Sequence, residues 1–125
     1  MKTEWFTFTV DSATIVRSYA GHSAPSGYRL LDVVITLKNT FGESIPMFDS
    51  EFLLDDPADE EYWVFCLDAI DDTMMPRQFD LDSRETATYH LIYEVDINSS
   101  GYFLYYTEQF ANGTEGKTLK VDLGV

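Results

Sequence analysis

Cysteine, histidine and positive charge are the scarce features of this 125-residue chain, and each scarcity removes a class of function. Cys66 is the single cysteine, so no intrachain disulfide can form, and one cysteine with two histidines cannot supply the usual four ligands of a structural zinc site. Eight Lys and Arg stand against 22 Asp and Glu, a formal charge of −14. Such a chain is repelled by phosphate backbones and anionic lipid surfaces, which argues against nucleic acid as a partner. No run reaches the apolar length of a membrane span, so direct insertion is not expected. The first ten residues, MKTEWFTFTV, alternate where a signal peptide would carry an unbroken apolar core. The chain as it stands reads as soluble and unprocessed. A secreted protein shorn of its signal would read the same way, so an extracellular or surface address and a cytoplasmic one are both compatible with it. An amphipathic helix and an internal repeat are also missing.

What is abundant is aromatic and alternating. The 9 Phe, 8 Tyr and 2 Trp are too many for a disordered acidic chain and suit strands around a bulky core. The longest alternation runs from Tyr28 to Thr40. It places Leu31, Val33, Ile35 and Leu37 on one side and Asp32, Thr36 and Lys38 on the other, the pattern of a central strand, with turn chemistry following at Asn39-Thr40-Phe41-Gly42. Glu85 to Ile97 repeats the pattern, with Ala87, Tyr89, Leu91, Tyr93 and Val95 on one face and Thr86, Thr88, His90 and Glu94 opposite. Near the start, Phe6, Phe8 and Val10 share a face, a second short run passes through Ile15 and Val16 to Tyr19, and the parity change at Asp11-Ser12-Ala13 predicts one bent strand or two, with a bulge or turn between.

Between these strands, Ala20 to Gly27 has loop composition, and Ser44 to Asp55, interrupted by Pro46, reads as an edge strand or an irregular segment before a short strand. Tyr62 to Leu67, YWVFCL, is an unbroken apolar run that fits either a strand buried on both sides or an element under a loop. Asp68 to Leu81 reads as irregular. Asn98 to Gly101 and Ala111 to Gly116 are hairpin-like connections to strands at Tyr102 to Thr107 and Thr118 to Leu123. The expectation is an all-β fold, an antiparallel immunoglobulin-like β-sandwich of about seven to eight strands, forming one domain over residues 1–125.

Four segments carry a resemblance: Leu31 to Thr40, Phe52-Leu53-Leu54-Asp55-Asp56, Tyr89 to Val95, and Tyr102-Phe103-Leu104-Tyr105-Tyr106. Together they resemble the immunoglobulin-like domain of unknown function carried by Gram-positive bacterial secreted lipoproteins, a relative in fold of a secreted mycobacterial immunoprotective antigen. The chain departs from that pattern at Asp82-Ser83-Arg84-Glu85, which stands where Pro-Gly-Glu is expected. The resemblance implies a secreted or surface-tethered address and brings no catalytic residues with it. A neighbouring resemblance, to small bacterial proteinase inhibitors with a similar strand ending in Asn, implies a sandwich that acts through a loop.

The chemistry-bearing residues are few. His22 lies in a loop and His90 on the outer face of a strand, and no serine, threonine or cysteine has the sequence context of a nucleophile, so a hydrolase is the remotest reading and a non-enzymatic module the leading one. Cys66 has no flanking base to activate it. Trp5, Trp63, Tyr62, Tyr105 and Tyr106 could form a platform for sugar rings or peptides, weighed against their use in the core. Asn98-Ser99-Ser100 and Asn112-Gly113-Thr114 match the glycosylation pattern, but turn chemistry accounts for the second without it. From Glu43 to Asp82, thirteen acids face one base, Arg77, so this third of the chain holds −12 of the −14. That concentration can be a solvated face, a surface for a protein partner, or a cation site. Asp55, Asp56 and Asp59 are the expected ligands of weak calcium, provided the fold brings their turn beside Asp71 and Asp72. No other cofactor is indicated.

Overall fold

A computed structural model describes residues 5–58, 63–109 and 115–125. The strands are β1 (Phe6–Val16), β2 (Ser18–Tyr19), β3 (His22–Ser23), β4 (Tyr28–Asn39), β5 (Ile45–Phe48), β6 (Phe52–Asp55), β7 (Gln78–Leu81), β8 (Thr86–Asp96), β9 (Phe103–Gln109) and β10 (Glu115–Asp122). Among the described residues the helical content is one 3-10 turn, Asp49–Glu51. One antiparallel sheet has the order β1-β4-β8 and the other β10-β9-β6, with β2-β3 and β5-β7 as separate two-stranded ribbons. This is an all-β antiparallel sandwich, as the alternation predicts.

The period of two decides which residues lie between the sheets. Leu31, Val33, Ile35 and Leu37 of β4 are fully buried, as are Leu91, Tyr93 and Val95 of β8, while Ala87 and Tyr89 pack at the margin. The parity change in β1 is a bulge: the register with β4 shifts between Val10 and Ser12, so one bent strand serves where two short ones were the alternative. Facing rings fill the layer. Phe6 meets Tyr106 edge-on at 5.3 Å, Phe8 meets Phe52 at 5.7 Å, and the Tyr93 hydroxyl donates to the Phe52 carbonyl at 2.7 Å, so the one polar atom that Tyr93 brings into the core is satisfied.

Asn39, where the central strand ends, is fully buried. Its Nδ2 donates to the carbonyls of Glu43 and Leu81, and its Oδ1 accepts the Phe41 amide at 2.7 Å. A short amide side chain thus forms the turn after β4 and fastens the β5-β7 ribbon to it. Pro46 sits in that ribbon, where a missing donor is tolerated.

Two expectations fail locally. Residues 78–81, within the stretch read as irregular, are β7, paired with β5. The Ala20 to Gly27 loop contains β3, joined to β2 by Ala20-Gly21, both at positive φ (50° and 85°). That is the backbone of a tight primed hairpin turn, and Ala at its first position hides it from a search for Asn-Gly.

Candidate functional site

Residues 63–77 form a strap along one side of the sandwich. Val64 exchanges both backbone hydrogen bonds with Leu54 on β6, Leu67 donates to Ile92 on β8, and further along His90 donates to Thr73 and Met75 donates to His90. The strap therefore pairs first with one sheet's edge and then with the other's. Alternation within it follows from that path. Val64 packs on the core and Cys66 is buried, whereas Trp63 and Phe65 point away and are 47% and 60% exposed. The apolar run is thus neither buried on both sides nor under a loop. It is an edge segment with one face bare.

Beneath the strap lies a buried acid that the sequence does not single out. Asp49 is 1% exposed, and Arg77 Nε lies 3.1 Å from its Oδ1 in an ion pair whose angle makes no hydrogen bond, while the same guanidinium also pairs with Asp68. Burial pushes the Asp49 carboxyl above its ordinary value, and Arg77 opposes the shift. The neighbouring Cys66 thiol is pushed up to about 12, first by burial and then by the Asp49 charge. It is a structural thiol, far from the thiolate that a nucleophile needs.

The histidines sit on the outer face of the β1-β4-β8 sheet. His22 Nε2 is 3.0 Å from Glu94 Oε1, and His90 Nδ1 is 2.7 Å from Asp32 Oδ1 with the Tyr19 ring tilted against it at 5.2 Å. Each imidazole thus has a carboxylate, but no serine, threonine or cysteine side chain is hydrogen-bonded to either ring among the described residues. The Tyr19 hydroxyl bonds Thr73, so the β2-β3 ribbon and the strap meet over this face and cover Leu30, Ile92 and Met74.

The calcium expectation can be traced in part, since Asp59 lies outside the described residues. Asp56 is 3% exposed, and its two carboxylate oxygens accept the Ala58 and Asp96 amides at 3.0 and 3.2 Å. Asp55 lies opposite Phe103 on the outer side of β6. Asp71 is held below the usual carboxylate range by the Thr73 hydroxyl and amide. It anchors near His90 while Asp56 anchors at Asp96, six residues along β8 and roughly 20 Å at ~3.4 Å per residue. Among the described residues no three His, Cys, Asp or Glu are grouped to hold a metal.

The aromatic set divides. Tyr106 is in the core, Trp5 packs against it, and Tyr62 lies outside the described residues; Trp63 and Tyr105 remain outside the core. Their rings meet edge-on at 4.8 Å over a groove of about 540 Å³, lined also by Ser50, Glu51, Leu53, Thr107 and Thr118. The register explains the meeting: Leu53 opposes Tyr105, which opposes Lys120, on the outer side of the β10-β9-β6 sheet. Lys120 Nζ lies 4.2 Å over the Phe103 ring and 5.6 Å from that of Tyr105. Burial raises the Glu51 carboxyl above its ordinary range. A second hollow of about 760 Å³, between Ile15, Arg17, Pro25, Tyr28, Arg29 and Ile97, lies where the β1-β4-β8 sheet ends.

No family model matches the sequence, and no curated protein matches it. Three solved structures resemble the fold over 98% of this chain. The candidate lipoprotein ycdA of Bacillus subtilis has a TM-score of 0.68 at 18% identity, and this chain spans 38% of its length. The yjhA protein of the same organism has a TM-score of 0.65 at 20% identity with 95% of its chain covered, and an uncharacterized β-sandwich protein of Clostridium difficile has 0.58 at 14% with 88% covered. At these identities the likeness is one of fold, and the fold that this chain shares with all three is the β-sandwich.

Proposed function

We propose that the chain is a non-enzymatic recognition module, an immunoglobulin-like sandwich carried by a secreted or surface-tethered bacterial lipoprotein, and that it meets its partner through the acidic, aromatic side formed by the strap and the adjoining sheet. The observation that carries this reading is the exposure of Trp63, Phe65 and Ile70 along one strap within the most acidic third of the chain. Large apolar groups set bare among charges mark an interaction surface more often than a catalytic one. The likeness to ycdA supports the address, and its greater length accords with a module inside a larger protein.

The immobilised domain, offered basic peptides, acidic peptides and neutral oligosaccharides, binds one class and loses it in Trp63→Ala/Phe65→Ala while its thermal midpoint holds. Binding indifferent to that double variant, or none in any class, removes the reading. An inhibitor would instead act through a loop, and residual activity of broad-spectrum serine proteases at micromolar protein tests it. Full activity is expected. Metabolic labelling of the native gene product with a fatty acid checks the tether.

A further inference from the structure

We propose that the groove between Trp63 and Tyr105 is a binding site for the guanidinium of an arginine in an extended basic segment of the partner, with Glu51 as its counter-ion. The inference rests on the recognition reading above and names the chemistry of what is recognised.

Three observations converge on it. Glu51 is drawn partly out of water at the groove wall, yet it makes no side-chain hydrogen bond or ion pair with any described residue. A desolvated carboxylate without a partner is disfavoured, and a cation bound beside it removes the penalty. The rings beside it are of the kind that hold cations. On the same outer face Lys120 already places its ammonium over Phe103 and within 5.6 Å of Tyr105, while the half-exposed Trp63, which offers the strongest ring face for a cation, has none among the described residues. The stretch that supplies Ser50, Glu51, Leu53 and Trp63 to the groove is strongly acidic, and the one base of residues 43–82, Arg77, is committed to Asp49 and Asp68.

Arginine is preferred to lysine because a planar guanidinium stacks on an indole while its edge donates to a carboxylate, and the hydroxyls of Ser50, Thr107 and Thr118 can accept its remaining N–H groups. A neutral sugar would use the rings and hydroxyls but would gain nothing from neutralising the Glu51 carboxylate. The groove is lined from β6, β9, β10 and the start of the strap, by Leu53, Tyr105, Thr107, Thr118 and Trp63, a span that suits an extended chain rather than a free amino acid.

The test titrates the full chain with acetylated hexaarginine, hexalysine and cellohexaose, read by calorimetry and by tryptophan fluorescence. Hexaarginine binds tightest and perturbs the fluorescence, and Glu51→Gln or Trp63→Ala weakens it about tenfold, the scale of one desolvated charge-assisted contact. Asp80→Asn removes the same charge from an exposed position on the β5-β7 ribbon and weakens binding by less than about twofold, as screening of a distant charge dictates. Equal losses in Glu51→Gln and Asp80→Asn would overturn the site in favour of diffuse attraction and leave the recognition module standing. Trp63-dependent binding of cellohexaose in preference to hexaarginine would overturn the cation and keep the groove. Absence of binding by all three probes overturns the proposal. Both groove variants alter partly exposed side chains, and an unchanged thermal midpoint confirms that each is folded.

Discussion

The two outer faces of the sandwich are treated differently by the chain. Over β1-β4-β8, the β2-β3 ribbon and the strap lie down on the sheet, bury Ile92 and Leu30, and pin themselves through Tyr19 to Thr73 and His22 to Glu94. Over β10-β9-β6 nothing of the described chain lies down, and Leu53, Phe103 and Tyr105 stay partly open beside Trp63. A face whose apolar residues are covered by the protein itself is structure; one left open with rings and a carboxylate that no described residue pairs with is available. The placement of the candidate site on the second sheet follows from that contrast.

The largest expected effects test it directly. Ile35→Ala, in the layer shared by both sheets, should cost about 2–5 kcal/mol in chemical denaturation. Ile92→Ala, on the covered face, should cost a comparable amount, since its side chain is as fully buried. Leu53→Ala, on the open face, should cost less than about 1 kcal/mol, because much of its surface is already in water. If Leu53→Ala proved as costly as Ile92→Ala, the two faces would not differ and the groove would belong to the core.

That contrast was only half legible in the sequence. The faces of β4 and β8 followed from alternation, because a period of two needs no knowledge of the partner strand. The covering of Ile92 did not, since Leu67 and Met74 of the strap and Val16 of β1 gather around it from two separate segments. Trp63 and Phe65 stood in a run without polar punctuation, and only the hydrogen bonds of Val64 to Leu54 and Leu67 to Ile92 decide which side of the run faces out. Asp49 was one acid among thirteen, and its burial depends on Arg77, 28 residues later, and on Cys66.

Asp49 under the strap and Glu51 in the groove both have folded values raised above their ordinary 3.8 and 4.5 by burial. The folded protein therefore keeps protons that the unfolded chain has released. Their contribution to stability is full below those ordinary values and is lost as pH rises through the folded ones. Denaturation from pH 3.5 to 7 should show Asp49→Asn and Glu51→Gln gaining on the parent as pH increases. A gap that does not change with pH would mean that neither acid is desolvated.

A smaller effect belongs to Arg84, which has φ of 68° in the turn closed by the Glu85 amide on the Asp82 carbonyl. The resemblance placed glycine at this turn, and glycine adopts that backbone without the Cβ clash. Arg84→Gly should therefore raise stability by up to about 1 kcal/mol, the residual of the ~1–2 kcal/mol strain after glycine's greater freedom in the unfolded chain is subtracted. A lower midpoint in thermal unfolding would show that the side chain contributes more than its exposed contact with the Thr40 carbonyl.

Calcium gives the smallest expected change, since ligation by Asp55, Asp56 and Asp59 requires Asp56 to share oxygens that already accept two amides. At a concentration equal to a dissociation constant on the order of 10⁻⁴–10⁻³ M the gain is about 0.4 kcal/mol, or roughly 1–2 °C in the midpoint. An identical midpoint in sodium chloride of equal ionic strength removes the ion.

The strap also settles what happens where the sheets stop. By pairing with Leu54 and then with Ile92 and His90, it occupies backbone groups on β6 and β8 that would otherwise invite another chain to add a strand. The remaining edges of the two three-stranded sheets are β1, bent by its bulge beside Asp11, and β10, where the pairing with β9 slips and Lys117, Lys120 and Asp122 follow in quick succession. Bulges and edge charges both discourage sheet-to-sheet stacking. A chain so rich in aromatic strands is thereby guarded against aggregation at the margins of both three-stranded sheets, and a single proteolytic cut in the strap would remove half of that protection at once.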